Sequence, residues 1–587
     1  MVSFYTKAIS SHKTNASIIH KKLLNIVILR CLIFCSTIAC VYFFWGNLKL
    51  VFVSSSIGVG VFVYVLNIHL NLKKSQKKQN ELILINTEEI ATLHGDFTSI
   101  NCGEQFIKTC HHYSDDIDLY GTNSLFQRLN RTVTYEGRLH LATLLEKNCI
   151  RELETKQQVV KELAKRVVWR QQFAVEARLE SSEIIAENFL KWAENYKRIL
   201  PLWSKVLAKL YSIVTIGIVF GICIDLMKLF HLIIWLLIGF LISVFFWRKV
   251  NKVIKKTSNI TSLFRVYYKL LELIESVSFD TEYLIQRRRK LLDKGNNTPS
   301  KIFRQFSKTL DAFDHRNNLL FAFISNRLFL WDLCQVSKIE SWIMDNKSML
   351  RSWFDEVHYF DTQNSLANFS FNYPEYVYPV LKESSTIIKA EQLGHPLLDT
   401  NRNITNDFKA NLKTQIILTG SNMAGKSTFL RTVGLSIVMA NTGLPVCASK
   451  FIYTPIKLIT SMRTIDNLST GSSYFFSELK RLQFVINEVK KDNYFILLDE
   501  ILKGTNSDDK VEGSIKFLQK LLILNTTSMI ATHDLSLCSL ATENSRVRNL
   551  YFDAQIRNDQ LFFDYKLKAG ISKNRNATFL LKKMNIT

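Results

Sequence analysis

The sequence lacks the cysteine pattern of a disulfide-stabilised secreted domain. Its ten cysteines show no CxxC spacing, and Cys31, Cys35 and Cys40 lie together in an apolar run. We therefore expect reduced cytosolic thiols and no disulfide framework. Cys102 and the triplet Cys110-His111-His112 fit no standard zinc-ligand spacing, so a zinc site is not expected there.

Proline and glycine are scarce across the middle of the chain. Residues 81–200 and 250–360 contain almost none of either, and apolar residues recur there at helical intervals, for example in Arg151–Tyr196. This spacing predicts an α-helical region. The run Arg287-Arg288-Arg289-Lys290 within it is either a phosphate-contacting patch or, as we favour, the solvated face of a helix.

Acidic residues are too few to balance the basic ones. Asp and Glu number 51 against 75 Lys and Arg, which gives a formal net charge of +24. Such an excess suits nucleic acid or an anionic membrane surface, and charge alone does not separate the two. The length of 587 residues predicts several domains, because single hydrophobic cores stop growing near about 250–300 residues.

Charge is almost missing from the N-terminal apolar segment. Residues 24–45 carry only Arg30, a short break follows at 46–49, and Leu50–Leu66 carry no charge. Both runs approach the roughly 20 apolar residues that cross a bilayer, which predicts a transmembrane hairpin. A cleaved signal peptide does not explain them, because the stretch is too long and a second span follows at once.

A second pair of charge-free runs lies far downstream. Leu210–Ile224 and Leu229–Trp247 flank a break that contains Asp225 and Lys228. We predict a second transmembrane hairpin, four spans in all, with a buried helical hairpin of a soluble core as the alternative. Basic residues flank both ends of each hairpin, which predicts that both return the chain to the cytosol. They are Lys21, Lys22, Lys73, Lys74, Lys77, Lys78, Lys205, Lys209, Arg248, Lys249, Lys252, Lys255 and Lys256.

From about residue 385, short β-type runs alternate with helical stretches, as in a P-loop α/β domain. The run Gln415–Thr419 leads into Gly420-Ser-Asn-Met-Ala-Gly-Lys-Ser427, which fits G-x-x-x-x-G-K-[ST]. The glycines permit a tight loop whose N–H groups surround phosphates, and the following helix adds its partial positive charge. We expect Lys426 to reach the β- and γ-phosphates of ATP, and the hydroxyl of Ser427 to bind Mg²⁺.

Two adjacent carboxylates end another buried strand. Tyr494–Leu498 is apolar and is followed by Asp499 and Glu500. The carboxyl ends of parallel strands meet beside the phosphate loop, so we expect Asp499 to hold Mg²⁺. Glu500 is then placed to orient or deprotonate the attacking water. The alternative is that these two carboxylates cap a helix. We disfavour it because the phosphate loop matches its motif without a gap. Ser528–Ala531 is a further predicted strand.

Four segments resemble the MutS family in order and spacing over roughly 390–550. They are the phosphate-loop segment 419–450, the signature segment Asp466–Glu478, the Walker B segment 497–509 and Ala531-Thr532-His533, preceded by Leu393-Gly-His395-Pro396 at the domain entry. The resemblance implies that His533 senses the γ-phosphate and that Ser473 contacts the γ-phosphate bound by a second subunit. It also implies a dimer closed by ATP. The expected ATP-binding residues are Gly420, Ser421, Asn422, Met423, Ala424, Gly425, Lys426, Ser427, Thr428 and Ser473, with Glu500 and His533 catalytic.

The chain departs from the family pattern in several places. Ser421 stands where the family often has Pro and Ala424 where it often has Gly, and both are small enough to fit. The segment 403–407 contains no aromatic residue that would stack on adenine, so the resemblance does not predict how the base is recognised. The region 118–137 resembles the start of the MutS lever and core more weakly. We expect the membrane spans to take the place of a mismatch-reading domain, and we expect no nuclease-like domain after the ATPase.

The sequence thus predicts transmembrane hairpins, a helical MutS-like core and lever region, and a C-terminal α/β P-loop (ABC-type) ATPase domain. The expected boundaries are 1–80, 81–384 with the second hairpin at about 210–247, and 385–587. The favoured function is an ATP-hydrolysing clamp or sensor on double-stranded DNA, tethered to a membrane with its ATPase domain in the cytoplasm. A transporter and an ATP-switched scaffold that acts without DNA are the alternatives; the four spans are few for a transporter, and Glu500 argues against a pure switch.

Overall fold

The computed structural model describes residues 1–108, 111–180, 185–257, 260–292, 298–399, 402–463, 474–557 and 560–572. The helices within these ranges are α1 (Val2–Phe43), α2 (Leu48–Leu93), α3 (Leu125–Leu129), α4 (Tyr135–Glu146), α5 (Leu153–Lys165), α6 (Val167–Arg178), α7 (Ala186–Glu194), α8 (Trp203–Cys223), α9 (Leu229–Thr257), α10 (Thr261–Ser276), α11 (Glu282–Leu292), α12 (Pro299–Asp314), α13 (Leu319–Phe329), α14 (Trp331–Asn372), α15 (Lys426–Asn441), α16 (Tyr474–Val489), α17 (Ser507–Ile523) and α18 (Leu540–Glu543). The strands are β1 (Val380–Leu381), β2 (Thr386–Leu393), β3 (Asn406–Asn411), β4 (Gln415–Thr419), β5 (Lys450–Tyr453), β6 (Lys457–Ser461), β7 (Tyr494–Asp499), β8 (Thr527–Thr532), β9 (Val547–Arg557) and β10 (Gln560–Ala569).

The chain divides into two compact units. Unit 1 contains residues 1–91, 133–137 and 167–361, and it is helical throughout its regular elements. Unit 2 contains residues 92–132, 138–166 and 362–587, and it holds every strand of the described ranges. The chain is therefore mostly helical in its N-terminal part and mixed α/β in its C-terminal part.

Helices α1 and α2 of unit 1 form an antiparallel pair. His12 Nδ1 lies 2.8 Å from Gln79 Oε1, and the guanidinium of Arg30 lies over the ring of Phe62 at 5.1 Å. In both contacts the two residue numbers add to nearly the same value, as they do along an antiparallel pair with one fixed register. The pairing therefore does not shift between the two contacts. The turn between the helices falls at 44–47, next to the break predicted at 46–49.

A second antiparallel pair, α8 and α9, is joined by a turn at 224–228. Tyr211 stacks on Trp235 with ring centroids 4.7 Å apart, and Trp235 Nε1 donates to Thr215 Oγ1 at 2.9 Å. Within the described ranges, α1, α2, α8 and α9 are long and apolar enough to cross a membrane, judged by length and composition. The apolar windows of all four are largely exposed.

Aromatic side chains fill the core of unit 1. Phe264 of α10 is fully buried and makes ring contacts with Phe303 and Phe306 of α12 and with Trp342 and Phe354 of α14. The α12 helix begins at Pro299, whose fixed φ and missing N–H suit the first helical position. Burial of such rings supplies the main apolar contribution to this core.

The basic run of α11 is only partly solvated. Arg287 pairs with Glu356 at 2.9 Å and lies over the ring of Tyr359 at 3.6 Å, and Arg288 donates to the carbonyl oxygen of Glu275. The favoured prediction of a solvated face fits Arg289 and Lys290, which are exposed. For Arg287 and Arg288 it is wrong, because Glu356, Tyr359 and the carbonyl oxygen of Glu275 hold both side chains, which are half-buried.

Unit 2 contains a six-stranded sheet in the order β10-β9-β4-β8-β7-β6 and a four-stranded sheet in the order β1-β5-β2-β3. In the larger sheet β9, β4, β8, β7 and β6 are parallel, and only β10 is antiparallel to its neighbour. The three predicted strands coincide with β4, β7 and β8, which are buried along nearly their whole length. Their carboxyl ends lie side by side and position the candidate site.

Residues 94–124 differ from the helical expectation. Their described part, 94–108 and 111–124, contains one short 3-10 turn at Glu104–Phe106 and otherwise irregular structure. The segment is instead fixed by side chains: Gln127 donates to the carbonyl oxygens of Phe97 and Ile100, each at 3.0 Å. It belongs to the compact unit of the α/β region, together with residues 138–166.

Candidate active site

The glycine-rich loop joins the central strand β4 to α15. β4 is wholly buried between β8 and β9, and α15 begins at Lys426. Gly420 and Gly425 have φ angles of +151° and +100°, and a Cβ on Gly420 would lie 2.8 Å from the carbonyl oxygen of Phe552. Glycine is therefore required at Gly420. The loop and the N-terminus of α15 together suit an anion, because both offer unpaired backbone N–H groups.

Lys426 is folded back onto its own loop. Its Nζ donates to the carbonyl oxygens of Gly420 at 2.9 Å and Ser421 at 3.0 Å, and lies 3.1 Å from Nε2 of His533. Burial lowers the pKa of Lys426, while the nearby carboxylates of Glu500 and Asp499 oppose that shift. Phosphate oxygens bind an ammonium more strongly than neutral carbonyls do, so they would compete for it.

Glu500 follows β7 with a left-handed backbone, φ +49°. Its N–H donates to the carbonyl oxygen of Ala531 on β8 at 2.9 Å, which fixes the carboxylate beside the next strand. Oε1 lies 2.7 Å from Nε2 of His533, and Oε2 lies 3.5 Å from Nζ of Lys503. The hydrogen bond from His533 lowers the pKa of Glu500 to about 2, although burial acts in the opposite direction.

The imidazole of His533 stands between a cation and an anion. Its Nε2 faces Nζ of Lys426 and Oε1 of Glu500 at once. A ring nitrogen either donates or accepts, so these two contacts are alternatives that depend on the proton at Nε2. With the proton present, His533 donates to Glu500; without it, His533 accepts from Lys426. The histidine thus connects the phosphate loop to the Walker B carboxylate.

A cavity of about 600 Å³ opens beside the loop. This volume lies within the range of small-molecule sites. Its lining combines polar and charged side chains with apolar and aromatic ones. The lining residues are Leu393, His395, Leu398, Arg402, Asn403, Ile404, Asn406, Asn422, Met423, Ala424, Gly425, Lys426, Ser427, Thr428, Phe429, Thr432, Asp499, Glu500, Lys503, His533, Phe552 and Tyr565.

The segment at the end of β2 closes one wall of the cavity. The N–H of His395 donates to Oδ1 of Asn403 at 3.0 Å, and Nδ2 of Asn403 donates to the carbonyl oxygen of His395 at 3.0 Å. Burial lowers the pKa of His395 to about 4, so its ring is neutral at pH 7. Nδ1 of this neutral ring accepts a hydrogen bond from the N–H of Leu397.

Tyr565 enters the cavity from the β9–β10 hairpin. The pairing of the two strands shifts register between Phe563 and Leu567, and Tyr565 lies in this irregularity with φ +51°. Asn406 fixes it there, since Nδ2 donates to the carbonyl oxygen of Tyr565 at 3.0 Å and Oδ1 accepts from the N–H of Leu567 at 2.8 Å. The ring lies close enough to Gly425 that a Cβ there would be 3.1 Å from it.

Comparison with known proteins agrees with this geometry. Residues 416–581 match the family model of MutS domain V. This part of the chain, called domain V below, is therefore similar to MutS domain V. MutS domain V is an ATPase domain of the P-loop type.

Relatives match the chain over its C-terminal part. Mouse MutS protein homolog 4 is 29% identical over 252 residues, 41% of this chain and 26% of the relative. DNA mismatch repair protein MSH4 of Arabidopsis thaliana is 33% identical over 183 residues, 30% of this chain and 23% of the relative. DNA mismatch repair protein MutS of Leptospira interrogans is 30% identical over 251 residues, 41% of this chain and 29% of the relative. The chain therefore spans about a quarter of the length of the curated relatives it matches.

Most residues predicted for the site lie together in domain V. One cavity is lined by Asn422–Thr428, Asp499, Glu500 and His533. Gly420 and Ser421 begin the phosphate loop, and their carbonyl oxygens accept hydrogen bonds from Lys426, which lines the same cavity. Ser473 lies outside the described residues, as does most of the signature segment. Oγ of Ser421 is buried without a hydrogen-bond partner. A buried hydroxyl in a phosphate loop fits a ligand that brings its own acceptor oxygens.

The donor set of domain V also fits Mg²⁺. The hydroxyl of Ser427 and the carboxylate of Asp499 line the same cavity, and oxygen ligands of these types are the ones that Mg²⁺ prefers. One to two protein oxygens beside a polyphosphate are typical of its nucleotide sites. No cluster of three or more His, Cys, Asp or Glu residues occurs among the residues that the structure describes.

Three residues of domain V escaped the sequence analysis as site residues. Tyr565 and Lys503 line the cavity, and buried Glu478 accepts from the N–H groups of Leu502 at 2.5 Å and Lys503 at 3.0 Å. Glu478 thereby ties α16 to the loop behind Glu500. Its place in the signature segment was a signal for a role, whereas no local pattern points to Tyr565.

Proposed function

We propose that the chain hydrolyses ATP in domain V and couples the reaction to DNA at a membrane. The observation that carries the ATPase proposal is the meeting of Lys426, Glu500 and His533 in one cavity, with 2.7 Å between Glu500 and His533. Such a set of cation, carboxylate and imidazole at a phosphate loop fits phosphoryl transfer to water.

The position of each residue in the cavity indicates its proposed role in ATP hydrolysis. Backbone N–H groups of Gly420–Gly425 and the α15 N-terminus hold the phosphates, and Lys426 leaves its carbonyl partners for phosphate oxygens. Bound Mg²⁺, held by Ser427 and Asp499, would neutralise part of the phosphate charge. Glu500, ionised because its pKa is about 2, orients the attacking water and accepts its proton. His533 then donates to the charge that develops on the γ-phosphate.

Tyr565 is proposed to face the adenine. Of the three aromatic residues that line the cavity, Phe429 and Phe552 are buried, whereas Tyr565 is 40% exposed. An aromatic ring can stack on the flat face of a base in a sequence-tolerant way. Tyr565 would thus take the role of the aromatic residue that the segment 403–407 lacks.

Dimerisation and DNA binding rest on the family resemblance. Ser473 is proposed to reach the γ-phosphate bound by a second copy, so that ATP joins two domain V units. Two of the relatives quoted above are named DNA mismatch repair proteins, and the net charge of +24 suits a polyanion. We therefore propose a clamp or sensor that grips duplex DNA mainly through its backbone.

The four apolar helices support a membrane tether. α1, α2, α8 and α9 each have the length and apolarity of a span, and their apolar windows are exposed. Exposed apolar surfaces of this size mark membrane or protein contacts. The basic residues at the ends of both pairs support a cytoplasmic position for domain V.

A membrane ATPase that acts without DNA is the second candidate. Arg287 and Arg288, which a DNA-binding patch on α11 would use, are held by Glu356, Tyr359 and the backbone of Glu275. This leaves less free basic surface on that helix than its sequence suggests.

The ATPase rate with and without DNA separates the two candidates. The detergent-solubilised full chain is assayed alone and with duplex, mismatched and branched DNA, next to the Glu500→Gln variant as the blank for contaminating ATPase. A DNA-coupled enzyme turns over faster or slower when any of these is added. An unchanged rate at low salt, with ATPase still abolished in Glu500→Gln, supports the second candidate.

A further inference from the structure

Helix α13, which is too short to span a bilayer, carries an exposed apolar stripe. Leu320, Phe323 and Ile324 recur at the i, i+3, i+4 spacing of one helix face and are 75%, 58% and 54% exposed. Its 11 residues contain no acidic side chain, and at 1.5 Å per residue they measure about 16 Å. That is about half of a bilayer core of roughly 30 Å.

The helix is attached to the α8–α9 pair by its carbonyl groups. Oη of Tyr211 lies 2.7 Å from the carbonyl oxygen of Arg327 and 2.8 Å from that of Trp235, and its one proton is donated to one of them at a time. Oγ of Ser212 likewise lies 3.2 Å from the carbonyl oxygen of Phe329 and 2.8 Å from that of Ala208. The C-terminal carbonyls of a helix have no partner within it, so these two hydroxyls offer a donor to groups that would otherwise be costly in an apolar setting.

Close packing continues the attachment onto α9. A Cβ on Gly239 would lie 2.7 Å from the carbonyl oxygen of Arg327, so a small residue lets the two helices approach. The guanidinium of Arg327 lies over the ring of Phe240 at 5.0 Å and over that of Phe323 at 3.4 Å. Small residues at the contact and satisfied polar groups are what helices use to associate within lipid.

The contact lies well inside the apolar stretch of α9. Gly239 and Phe240 precede Arg248, where the charge-free run ends, by nine and eight residues. This places the C-terminal end of α13 about 12–14 Å along the axis from Arg248, at 1.5 Å per residue. The attached end of α13 therefore lies beside a stretch of α9 in which other side chains, Leu237 and Leu241, are exposed and apolar.

We propose that α13 is a half-spanning membrane helix, whose stripe Leu320, Phe323 and Ile324 contacts the lipid of the cytoplasmic leaflet. The proposal rests on the membrane tether proposed above for α8 and α9. It adds a fifth lipid-contacting element to the chain. Arg316, which precedes the helix, pairs with Asp332 at 3.5 Å.

Collision accessibility of single spin labels tests the proposal. Cysteines replace Leu320, Phe323 and Ile324 one at a time in the full chain, with the exposed native cysteines Cys31, Cys35, Cys40 and Cys223 changed to serine. Ile233→Cys on α9 and Ser348→Cys on α14 are the lipid and water controls. The protein is reconstituted in vesicles of phosphatidylethanolamine and phosphatidylglycerol, and collisions with oxygen and with a water-soluble nickel chelate are measured.

Labels on the stripe should collide with oxygen as the Ile233 label does, and should lose the nickel collisions seen at Ser348. Nickel collisions equal to those at Ser348, with Ile233 still lipid-like, would overturn the proposal for α13 and leave the tether intact. Low collision with both reagents would mean that protein, such as a second copy, covers the stripe, and would also overturn it. Nickel collisions at Ile233 itself would instead refute the tether.

Discussion

At the scale of single residues, removing the carboxylate of Glu500 and removing the ammonium of Lys426 are expected to have different effects on turnover and on nucleotide binding. Glu500→Gln keeps the size of the side chain and loses the base, so it should bind ATP and turn over about 10²–10⁴-fold more slowly. Lys426→Ala removes the main cationic partner of the phosphates, so it should weaken nucleotide binding itself. Single-turnover assays and titration with a fluorescent ATP analogue measure the two effects.

Glu512→Gln is the matched control for the carboxylate change. Glu512 lies on the surface of the same domain in an exposed pair with Lys516, and its loss should leave both turnover and binding unchanged. Near-normal turnover in Glu500→Gln would remove Glu500 from the mechanism. Unaltered nucleotide affinity in Lys426→Ala would show that the ammonium never leaves the carbonyls of Gly420 and Ser421.

The lowered pKa of Glu500 also predicts the pH dependence. A carboxyl group with a pKa of about 2 in the folded protein stays ionised as the pH falls from 8 to 5. Its protonation therefore does not contribute to any acid loss of kcat/KM in that window, because kcat/KM reports groups of the free enzyme. The profiles of the wild type and of the residual activity of Glu500→Gln should have the same acid limb. An acid limb that vanishes in the variant would mean that Glu500 titrates near neutrality.

At the scale of elements, the β9–β10 hairpin is expected to set nucleotide affinity through one side chain. Tyr565→Ala should raise the Kd for ATP roughly tenfold, near the low end of the about 1–3 kcal/mol attributed to base stacking, because the ring is partly exposed. Tyr565→Phe keeps the ring and should bind like the wild type. Equilibrium binding of ATP and of free triphosphate is measured in parallel. An equal loss for both ligands in Tyr565→Ala would show that the ring supports the loop and does not contact the base.

Local pattern explains why some elements were predictable from the sequence. β4, β7 and β8 are short apolar runs buried on both faces, and two of them end directly in a phosphate-loop or carboxylate motif. The position of Tyr565 in the cavity could not be predicted from the sequence, because it depends on a register shift and on Asn406, about 160 residues away. The described residues of 94–108 and 111–124 form little regular helix. Side chains such as Gln127 donate hydrogen bonds to their backbone carbonyl groups in place of a helix.

Helix α13 lies in the region predicted to be helical, but the sequence did not mark it as a membrane contact. Its eleven residues, three of them polar, fall below the length that indicates a span, and only the carbonyl contacts from Tyr211 and Ser212 reveal its association with α8. Arg287 shows that a local pattern can also suggest an exposed feature that the fold does not have. A run of four basic residues has the appearance of a patch, yet its first member is paired with Glu356 once α14 is in place.

At the scale of the whole molecule, the α8–α9 pair is expected to hold the chain in a membrane without the α1–α2 pair. Removing residues 1–80 would be a poor test, since Tyr5 is fully buried and belongs to the core of unit 1. Replacing residues 27–64 by a short Gly-Ser turn keeps that core, including Val65, and removes no fully buried residue. This variant should sediment with membranes and resist salt and alkaline extraction. Recovery of a folded, detergent-free soluble protein would show that α8 and α9 are not spans.

DNA binding by the whole chain is expected to depend on the phosphate backbone more than on the bases. A clamp that neutralises phosphates with Lys and Arg releases counterions, so its affinity falls steeply as salt rises. Matched and mismatched duplexes of the same length should bind within a few-fold of each other, because a mismatch reader would have to gain from cheaper unstacking and bending. The measurement is a salt titration of the detergent-solubilised protein on both duplexes, with Glu500→Gln in ATP to hold the dimer closed. A mismatch preference of about tenfold or more would reveal a reader, and no binding at low salt would indicate a MutS-type membrane ATPase with another partner.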